Sequence, residues 1–234
     1  MNDSNNAYYL RIIACLCQIY FSSLFLVEEI GASLYNRGME VCELFRSIQG
    51  EGWRQGRLAC FIRLARCNLR CSFCDTQYAW EKGKEMNVEE LGEEVGAFRV
   101  PYAVITGGEP MLQDLTPLIR QLHTRGMEVA IETNGTLWQD SEVDWLTVSP
   151  KQEALELFPH GYDERFLSVA NEFKYIISSK KDISFIDTRI SSPVILQPVN
   201  NDLVVAGFIL AILEEERRKN WFLRMRLHTL LGIQ

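Results

Sequence analysis

Residues 60–74 read CFIRLARCNLRCSFC, an apolar run that is followed directly by three closely spaced cysteines. The apolar residues 60–65 are typical of a buried strand. The cysteines have the spacing Cys-x3-Cys-x2-Cys, and three thiolates on one short loop can hold three irons of a cubane iron–sulfur cluster. The fourth iron then has no cysteine ligand and can bind a small molecule. The stretch therefore predicts a strand that ends in a reactive metal-binding loop.

Other uses of these cysteines are a structural zinc site, a disulfide framework or a set of small buried side chains. Structural zinc needs four closed ligands, but the other nearby thiol, Cys60, lies within the strand and the nearest histidine is His123. The chain has seven cysteines, an odd count that does not suit a complete disulfide framework. Asn68 and Arg70 between the cysteines do not make an apolar face. A cluster is the interpretation that these features favour.

The cysteine loop resembles the signature of radical S-adenosylmethionine (SAM) enzymes. Cys67, Cys71 and Cys74 have the spacing of that family, and Phe73 stands at the aromatic position before the last cysteine. Residues 105–110, ITGGEP, are similar to the family's second motif, a glycine-rich turn that receives the methionine end of SAM. The resemblance implies an α/β fold, an incomplete (β/α)6 TIM-like barrel, with a 4Fe-4S cluster and SAM as cofactors. It also implies that the reduced cluster gives an electron to the sulfonium, which releases a 5'-deoxyadenosyl radical.

The composition is that of one globular domain. The chain has 234 residues, of which 47% are hydrophobic and 24% are charged. The formal net charge of -7 argues against extended contact with nucleic-acid phosphates, which needs clustered lysine and arginine. A small-molecule substrate is therefore expected.

The N-terminal stretch departs from this composition, because residues 7–27 form an apolar run broken by Arg11 and Gln18. Its length suits a transmembrane helix or a signal-like segment. Arg11 inside the run disfavours a membrane span, and residues 1–6 carry no lysine or arginine for a signal peptide. We therefore predict that residues 1–38 are an extension outside the core, with Met39 as the true initiator and residues 39–234 as the enzyme domain. An intact mass that includes residues 1–38 would contradict this start site.

Beyond the cysteines, strand patterns alternate with helical ones. Strands are predicted at residues 41–45, 102–106, 129–131, 145–148, 172–177 and 194–196, and helices at residues 87–98, 115–122 and 203–218. Such alternation indicates a parallel sheet, in which reactive loops follow the C-terminal ends of the strands. The polar and glycine-rich stretches at residues 63–76, 106–110, 132–135, 149–151 and 197–200 all follow strands, so we expect them to meet at one rim.

A finer resemblance concerns the substrate. Residues 47–52, SIQGEG, together with Arg63 and the cysteines, look like the queuosine-pathway branch of radical SAM enzymes that makes 7-carboxy-7-deazaguanine. The reaction that this implies is a lyase-type ring contraction of 6-carboxy-5,6,7,8-tetrahydropterin with loss of ammonia. The resemblance assigns the substrate to backbone at Ile48, Gln49 and Gly50, the guanidinium of Arg63, the hydroxyl of Thr106 and the terminal residue Gln234. The planar fork of an arginine suits a carboxylate.

The same resemblance assigns residues to the cofactors. SAM contacts are implied at Phe73, Cys74, Asp75, Gly107, Gly108, Glu109, Ser149, Pro150, Lys151, Gln197, Pro198, Val199 and Asn200. Glu109 is expected to pair with the SAM ammonium. Thr76 is expected at a Mg²⁺ ion that bridges to the substrate carboxylate. Near the end of the chain, Arg226 and Thr229 stand where glutamine and lysine are usual, which leaves open how the tail packs over the substrate.

The resemblance also implies partners and a location. An electron donor such as flavodoxin or ferredoxin, a homodimer and the cytoplasm are expected, with no direct nucleic-acid contact and no membrane association of the core. Two other functions stay open on sequence alone. One is a glycyl-radical-enzyme activase of the same superfamily, and the other is a non-enzymatic module that binds zinc or a cluster.

Overall fold

The computed structural model describes residues 38–233. The chain divides into two units, Met1–Gly38 and Met39–Gln234. The predictions for residues 1–37 and for Gln234 fall outside the described residues and stay predictions. Within the described part of the chain, no helix is both long and apolar enough to cross a membrane.

The described unit is built on one nine-stranded sheet with the order β3-β1-β2-β4-β5-β6-β7-β8-β9. β1 runs antiparallel between β2 and β3, whereas β2 and β4 to β9 are parallel neighbours. The strands are β1 Met39–Ile48, β2 Leu58–Leu64, β3 Lys84–Met86, β4 Tyr102–Gly107, β5 Glu128–Thr133, β6 Trp145–Val148, β7 Glu172–Ile177, β8 Val194–Pro198 and β9 Trp221–Leu223. The predicted α/β class with a mostly parallel sheet is confirmed, and the sheet is consistent with a partial TIM-type barrel.

Five α-helices lie in the described chain: α1 Val88–Ala97, α2 Thr116–Thr124, α3 Lys180–Ser184, α4 Leu203–Glu216 and α5 Leu227–Leu231. Side-chain caps are found at the starts of α1 and α4, among others. Asn87 Oδ1 accepts a hydrogen bond from Glu89 N at 2.7 Å at the start of α1, and Asp202 Oδ1 accepts from Val204 N at 2.7 Å at the start of α4. Between β6 and β7 the chain forms only the short 3-10 helices Gln152–Ala154 and Glu164–Ser168.

The two faces of the sheet have different cores. Ile62, Ile105 and Ile131 belong to the large core beneath the helices. The residues that alternate with them, Phe61 and Val104, belong to a smaller apolar cluster on the inner face. Because successive side chains of a strand point to opposite faces, the next inner-face positions along these strands are polar, namely Arg63, Thr106 and Glu132. The inner face is therefore apolar at the N-terminal ends of the strands and polar towards their C-terminal ends.

Candidate active site

A cavity of about 500 Å³ lies on the polar part of the inner face. This volume is in the range of small-molecule sites. Its walls contain all the predicted site residues that the structure describes except Glu109 and Pro150. The predicted residues that line it are Ile48, Gln49, Gly50, Arg63, Cys67, Cys71, Phe73, Cys74, Asp75, Thr76, Thr106, Gly107, Gly108, Ser149, Lys151, Gln197, Pro198, Val199 and Asn200.

The three cysteines occupy one end of this cavity, which we call the cluster end. Cys71 is buried with Leu69 and Ala154, and Cys67 and Cys74 pack against this group. Burial raises the pKa of the Cys67 thiol, and it raises the pKa of Cys71 to about 12. Bound iron would supply the positive charge that keeps such thiols as thiolates, so the residues fit a cluster. No group of three or more histidine, cysteine or carboxylate side chains among residues 38–233 converges as a site for a single metal ion. Cluster cysteines need not converge in this way, since each binds a different iron.

Gly107 and Gly108 let the end of β4 approach the cysteine loop. Gly107 has a φ of 143°, and a Cβ there would lie 2.1 Å from the carbonyl oxygen of Leu64. A Cβ on Gly108 would lie 2.0 Å from the carbonyl oxygen of Arg66 and 3.0 Å from Cys67 Cβ. Both glycines are therefore required by the packing of the protein on itself, whatever ligand the turn also receives.

Glu109 lies behind the cavity wall, where it braces the loop after β5. Its side chain is fully buried, and it accepts hydrogen bonds from Thr133 Oγ1 at 2.7 Å, Asn134 N at 2.7 Å and Met111 N at 3.0 Å. Burial raises its pKa. The structure thus gives this carboxylate three protein donors, and Glu109 does not line the cavity. Pro150 is buried and also does not line the cavity.

An amide network ties the cysteine loop to the loop after β5. Asn68 Nδ2 donates to Thr136 Oγ1 at 2.7 Å, and Asn134 Nδ2 donates to Asn68 Oδ1 at 3.0 Å. Thr136 Oγ1 in turn donates to Asn134 Oδ1 at 2.6 Å. These three polar side chains were not predicted as site residues. Their contacts join segments more than sixty residues apart, which the sequence pattern does not show.

The other end of the cavity is formed by the β1–β2 hairpin loop, so we call it the hairpin end. Ile48 pairs with Leu58 at the N-terminal end of β2, whereas the cysteines follow the C-terminal end of β2. Gln49 N donates to Arg57 O at 2.7 Å across the hairpin, and Gln49 Nε2 reaches Glu132 Oε1 on β5 at 2.8 Å. The predicted substrate contacts at residues 48–50 therefore face the cluster end from the opposite side and do not belong to the predicted rim.

A buried group of charges lines the hairpin end. The ammonium of Lys174, which is 5% exposed, pairs with Glu51 and lies 3.3 Å from Glu132. Burial alone would lower the pKa of Lys174, but the two carboxylates outweigh burial and raise it. Burial likewise opposes ionisation of Glu51, yet the charge of Lys174 outweighs it and lowers the pKa of Glu51 to about 2. None of these three side chains was predicted to contact substrate or cofactor. The sequence does indicate that Lys174 faces inward, because it lies between Phe173 and Tyr175, whose side chains point to the helix-covered face of the sheet.

Arg63 lies on the inner face beside Thr106, its partner in the parallel β2–β4 register. Its Nε donates to Glu43 Oε2 at 3.2 Å, and its guanidinium carbon lies 5.5 Å from the centroid of the Phe45 ring. Tyr78 Oη donates to the same Glu43 oxygen at 3.0 Å. The Glu43 carboxylate and the Phe45 ring thus orient the arginine at the cavity wall, where it can receive an anionic ligand.

Polar groups after β6 and β8 complete the wall. Lys151 Nζ donates to Ser149 O at 2.7 Å and to Ser149 Oγ at 2.6 Å, and burial together with the nearby charge of Lys174 lowers its pKa. Gln197 at the end of β8 is buried, and its Oε1 has no hydrogen-bond partner in the protein. A buried acceptor without a partner on a cavity wall is typical of a ligand contact. The observation supports the predicted cofactor site at residues 197–200.

The C-terminal segment covers the hairpin end. Leu227 N donates to Gly50 O at 2.8 Å, and a Cβ on Gly50 would lie 1.9 Å from His228 Nδ1. Arg226, His228 and Thr229 all line the cavity. The tail therefore packs against the predicted substrate contacts even though Arg226 and Thr229 depart from the usual residues.

Comparison with known proteins agrees with this arrangement. Residues 61–178, about half of the chain, match the sequence profile of the Radical SAM superfamily. The match begins in β2 and includes the cysteine loop and the Gly107–Gly108 turn. The chain is therefore a radical SAM protein, a class that uses a 4Fe-4S cluster and SAM.

Individual relatives narrow the class. The 7-carboxy-7-deazaguanine synthase of Hyperthermus butylicus is 40% identical over 165 residues, which are 64% of this chain and 70% of that protein. The 7-carboxy-7-deazaguanine synthase of Bacteroides thetaiotaomicron is 35% identical over 197 residues, which are 83% and 98% of the two chains. The crystal structure of QueE from Escherichia coli matches with a TM-score of 0.72 and 28% identity over 83% of this chain and 98% of that one. The chain belongs to the 7-carboxy-7-deazaguanine synthase family of radical SAM proteins.

Proposed function

We propose that this protein converts 6-carboxy-5,6,7,8-tetrahydropterin to 7-carboxy-7-deazaguanine with loss of ammonia, a carbon–nitrogen lyase step in queuosine biosynthesis. The observation that carries the proposal is the shared cavity. The three cysteines lie at one end, and the inner-face polar side chains that suit a carboxylated pterin lie at the other. Membership of the synthase family supports the same substrate.

The cluster end would hold the cofactors. Cys67, Cys71 and Cys74 would bind a 4Fe-4S cluster, and SAM would lie along Phe73–Asp75, Gly107–Gly108, Ser149, Lys151 and residues 197–200. When bound, the cluster and SAM supply a carbon-centred radical that removes a hydrogen atom from the substrate. The cationic side chain of Lys151 suits the SAM carboxylate, and the unpartnered Gln197 oxygen suits a ligand N–H or O–H group.

The hairpin end would hold the pterin. Arg63 would bind the substrate carboxylate, Thr106 would offer its hydroxyl, and the backbone of residues 48–50 would border the ring. A pterin ring presents several N–H donors, and the carboxylates of Glu51 and Glu132 are the acceptors at this end. We keep Gln234 as a proposed substrate contact, although it lies outside the described residues.

Mg²⁺ would bind at Thr76, between the cluster end and the substrate carboxylate. Thr76 Oγ1 donates to Asp75 Oδ1 at 2.9 Å, and both residues line the cavity. Hard oxygen ligands of this kind suit Mg²⁺, which keeps several waters and takes few ligands from the protein. The residues present therefore fit the ion.

Further features of the proposal concern partners and location. We propose a flavodoxin or a ferredoxin as electron donor, a homodimer as the functional form and the cytoplasm as the location. Direct contact with nucleic acid is not part of the proposal, and the net charge of -7 supports this. A glycyl-radical activase or a zinc-binding module would use the same cysteines, but the curated relatives favour the synthase.

The proposed reaction is tested with protein reconstituted without oxygen. SAM, a one-electron reductant and 6-carboxy-5,6,7,8-tetrahydropterin are added, and the products are followed by mass spectrometry. We expect 7-carboxy-7-deazaguanine from the wild type and none from the matched variant Cys71→Ser. A wild-type protein with an intact cluster that cleaves SAM but leaves the pterin unchanged would contradict the substrate assignment.

A further inference from the structure

One guanidinium joins three separate segments around the cavity. Arg226 follows β9, and its side chain is 13% exposed. Its NH1 donates to Asp75 Oδ2 at 2.6 Å, in the loop that carries the third cysteine. Its NH2 donates to Asn200 Oδ1 at 3.1 Å, in the turn after β8. All three residues line the cavity, so these two hydrogen bonds bridge the cysteine loop and the turn after β8 at the cavity wall.

The turn after β8 also holds the backbone of Arg226. Asn201 Oδ1 accepts a hydrogen bond from Arg226 N at 2.6 Å, and Asn201 Nδ2 donates to Arg226 O at 2.9 Å. Asn200 and Asn201 have φ values of 52° and 58°, in the left-handed region that asparagine enters more readily than most residues. Two consecutive residues in this conformation are costly for the chain. The conformation directs one asparagine side chain to the guanidinium and the other to the backbone of the same arginine.

The contribution of this contact to overall stability is expected to be small. The Asp75 side chain is 65% exposed, and exposed ion pairs contribute only about 0–1 kcal/mol. The Arg226–Asp75 ion pair differs from other ion pairs in the distance along the chain between its two residues. Arg165 and Asp163 also form an ion pair at 2.6 Å, but these two residues are only two positions apart in the chain, so their ion pair joins no distant segments. Arg226 and Asp75 are 151 residues apart.

We propose that Arg226 is a positioning residue that fastens the loop bearing Cys74 to the opposite wall of the cavity. The planar fork of the guanidinium fixes the directions of both partners, which a flexible ammonium does not do. Fastening sets the spacing between the cluster end and the hairpin end. The expected change in kcat rests on the proposed function. The expected change in amide exchange of the cysteine loop depends only on the contacts within this chain.

The test compares Arg226→Met with the matched control Arg165→Met, which removes an ion pair of the same length elsewhere. In the metal-free protein, amide hydrogen exchange is measured for peptides that cover residues 67–80 and 199–230. We expect Arg226→Met to increase exchange in both regions and Arg165→Met to leave both unchanged. In the reconstituted enzyme we expect kcat to fall by about tenfold or more, because displacements of about 1 Å in a reactive complex cost up to a hundredfold.

A second readout separates positioning from general damage. If the Arg226 variant no longer holds the cysteine loop in place, it is expected to form more 5'-deoxyadenosine per molecule of product than the Arg165 control. The midpoints of unfolding of the two variants are expected to be equal. Arg226→Lys is expected to recover part of kcat, since an ammonium can reach only one of the two partners well. Asp75→Asn combined with Arg226→Met is expected to cost little more than either change alone, as contacting residues do not act additively.

The outcomes distinguish this proposal from the proposed function. Product formation with equal kcat, equal coupling and equal exchange in Arg226→Met and Arg165→Met would overturn the positioning role while leaving the synthase assignment intact. If exchange increases in Arg226→Met but not in Arg165→Met, and the wild type makes no product, the result would support the fastening and contradict the reaction. If Arg226→Met fails to fold, the exchange of the wild type is measured in about 1 M salt, which screens an exposed ion pair. Faster wild-type exchange in both regions supports the role, and unchanged exchange overturns it.

Discussion

Replacing Gly108 with alanine is expected to damage the cysteine loop through one methyl group. Gly108 N donates to Leu64 O at 3.1 Å, and Glu109 N donates to Arg66 O at 2.8 Å. These hydrogen bonds hold the end of β4 against the residues just before Cys67. An alanine Cβ would lie 2.0 Å from Arg66 O, so the backbone on one side has to move by about 1 Å or more.

The size of the effect follows from the rigidity of the obstacle. A backbone carbonyl cannot rotate away as a side chain can, and overpacking of this kind costs about 1–3 kcal/mol. For a unit of this size, such a loss lowers Tm by about 2–4 °C per kcal/mol. Because Cys67 follows Arg66, the shift also displaces the first cluster ligand. We therefore expect Gly108→Ala to lose iron as well as stability.

Gly207→Ala is the matched control because it introduces the same methyl group in the middle of α4. An added Cβ at Gly207 meets no atom within 4 Å. Alanine is a better helix former than glycine, so this variant is expected to gain about 0.5–1 kcal/mol. Thermal unfolding and iron content measure both variants. A Gly108→Ala protein that is as stable as Gly207→Ala and retains the same iron would refute the reasoning.

Three further predictions concern charged and polar residues of the cavity. Lys174→Met should lower the free energy of unfolding by about 1–3 kcal/mol, because it leaves the half-buried carboxylates of Glu51 and Glu132 without their cation; in a denaturant titration the exposed control Lys219→Met should change it by less than about 0.5 kcal/mol, and a similar small change for Lys174→Met would count against the ion group. The lowered pKa of Glu51 contributes stability that is fully present above pH 4.5, its ordinary pKa, and is lost as the pH falls towards about 2. When the free energy of unfolding is measured against pH, Glu51→Gln should lose less of it on acidification than the wild type. Equal losses in the two proteins would contradict the pairing of Glu51 with Lys174. Thr76→Ala should lose the Mg²⁺ dependence of turnover while keeping its iron, and an unchanged response to Mg²⁺ would argue against this site.

Much of the fold is predictable because its strands are buried and regular. The strands at residues 145–148 and 172–177 were predicted with the bounds that the structure gives them, and α4 begins at Leu203 as predicted. Runs of β-branched and aromatic residues bounded by polar loops carry this signal in the sequence. The three-residue strands β3 and β9 were missed. Such short strands are defined by the neighbour that they pair with, and local composition does not show that neighbour.

The position of a residue on a loop did not predict its orientation. The sequence places Glu109 at the turn after β4 in the expected position for a ligand contact. The structure turns its carboxylate into the protein, where three donors hold it. Gly108 beside it does line the cavity. Neighbouring residues of one motif can therefore have different roles, and these roles can be told apart only from the long-range hydrogen bonds in the structure.

The hairpin end shows a second limit of sequence reasoning. The rule that reactive loops follow parallel strands identified the cluster end, but β1 is antiparallel and brings Gln49 and Glu51 in from the other side. Strand parity shows that Lys174 faces inward, yet it does not show that Glu51 lies opposite, 123 residues away. Contacts between distant segments depend on the closure of the sheet. For the same reason Arg226 was seen only as a departure from a usual residue and not as a fastening between loops.

The most direct test is the iron and inorganic sulfide content of the chain after reconstitution without oxygen. The account predicts about four irons and four sulfides per chain, with an electron paramagnetic resonance signal of the reduced cluster that changes when SAM is added. Loss of the cluster in Cys67→Ser, Cys71→Ser and Cys74→Ser, with retention in Cys60→Ser, is the expected pattern. A reconstituted wild type that holds neither iron nor sulfide, or a cluster whose signal ignores SAM, would contradict the central claim.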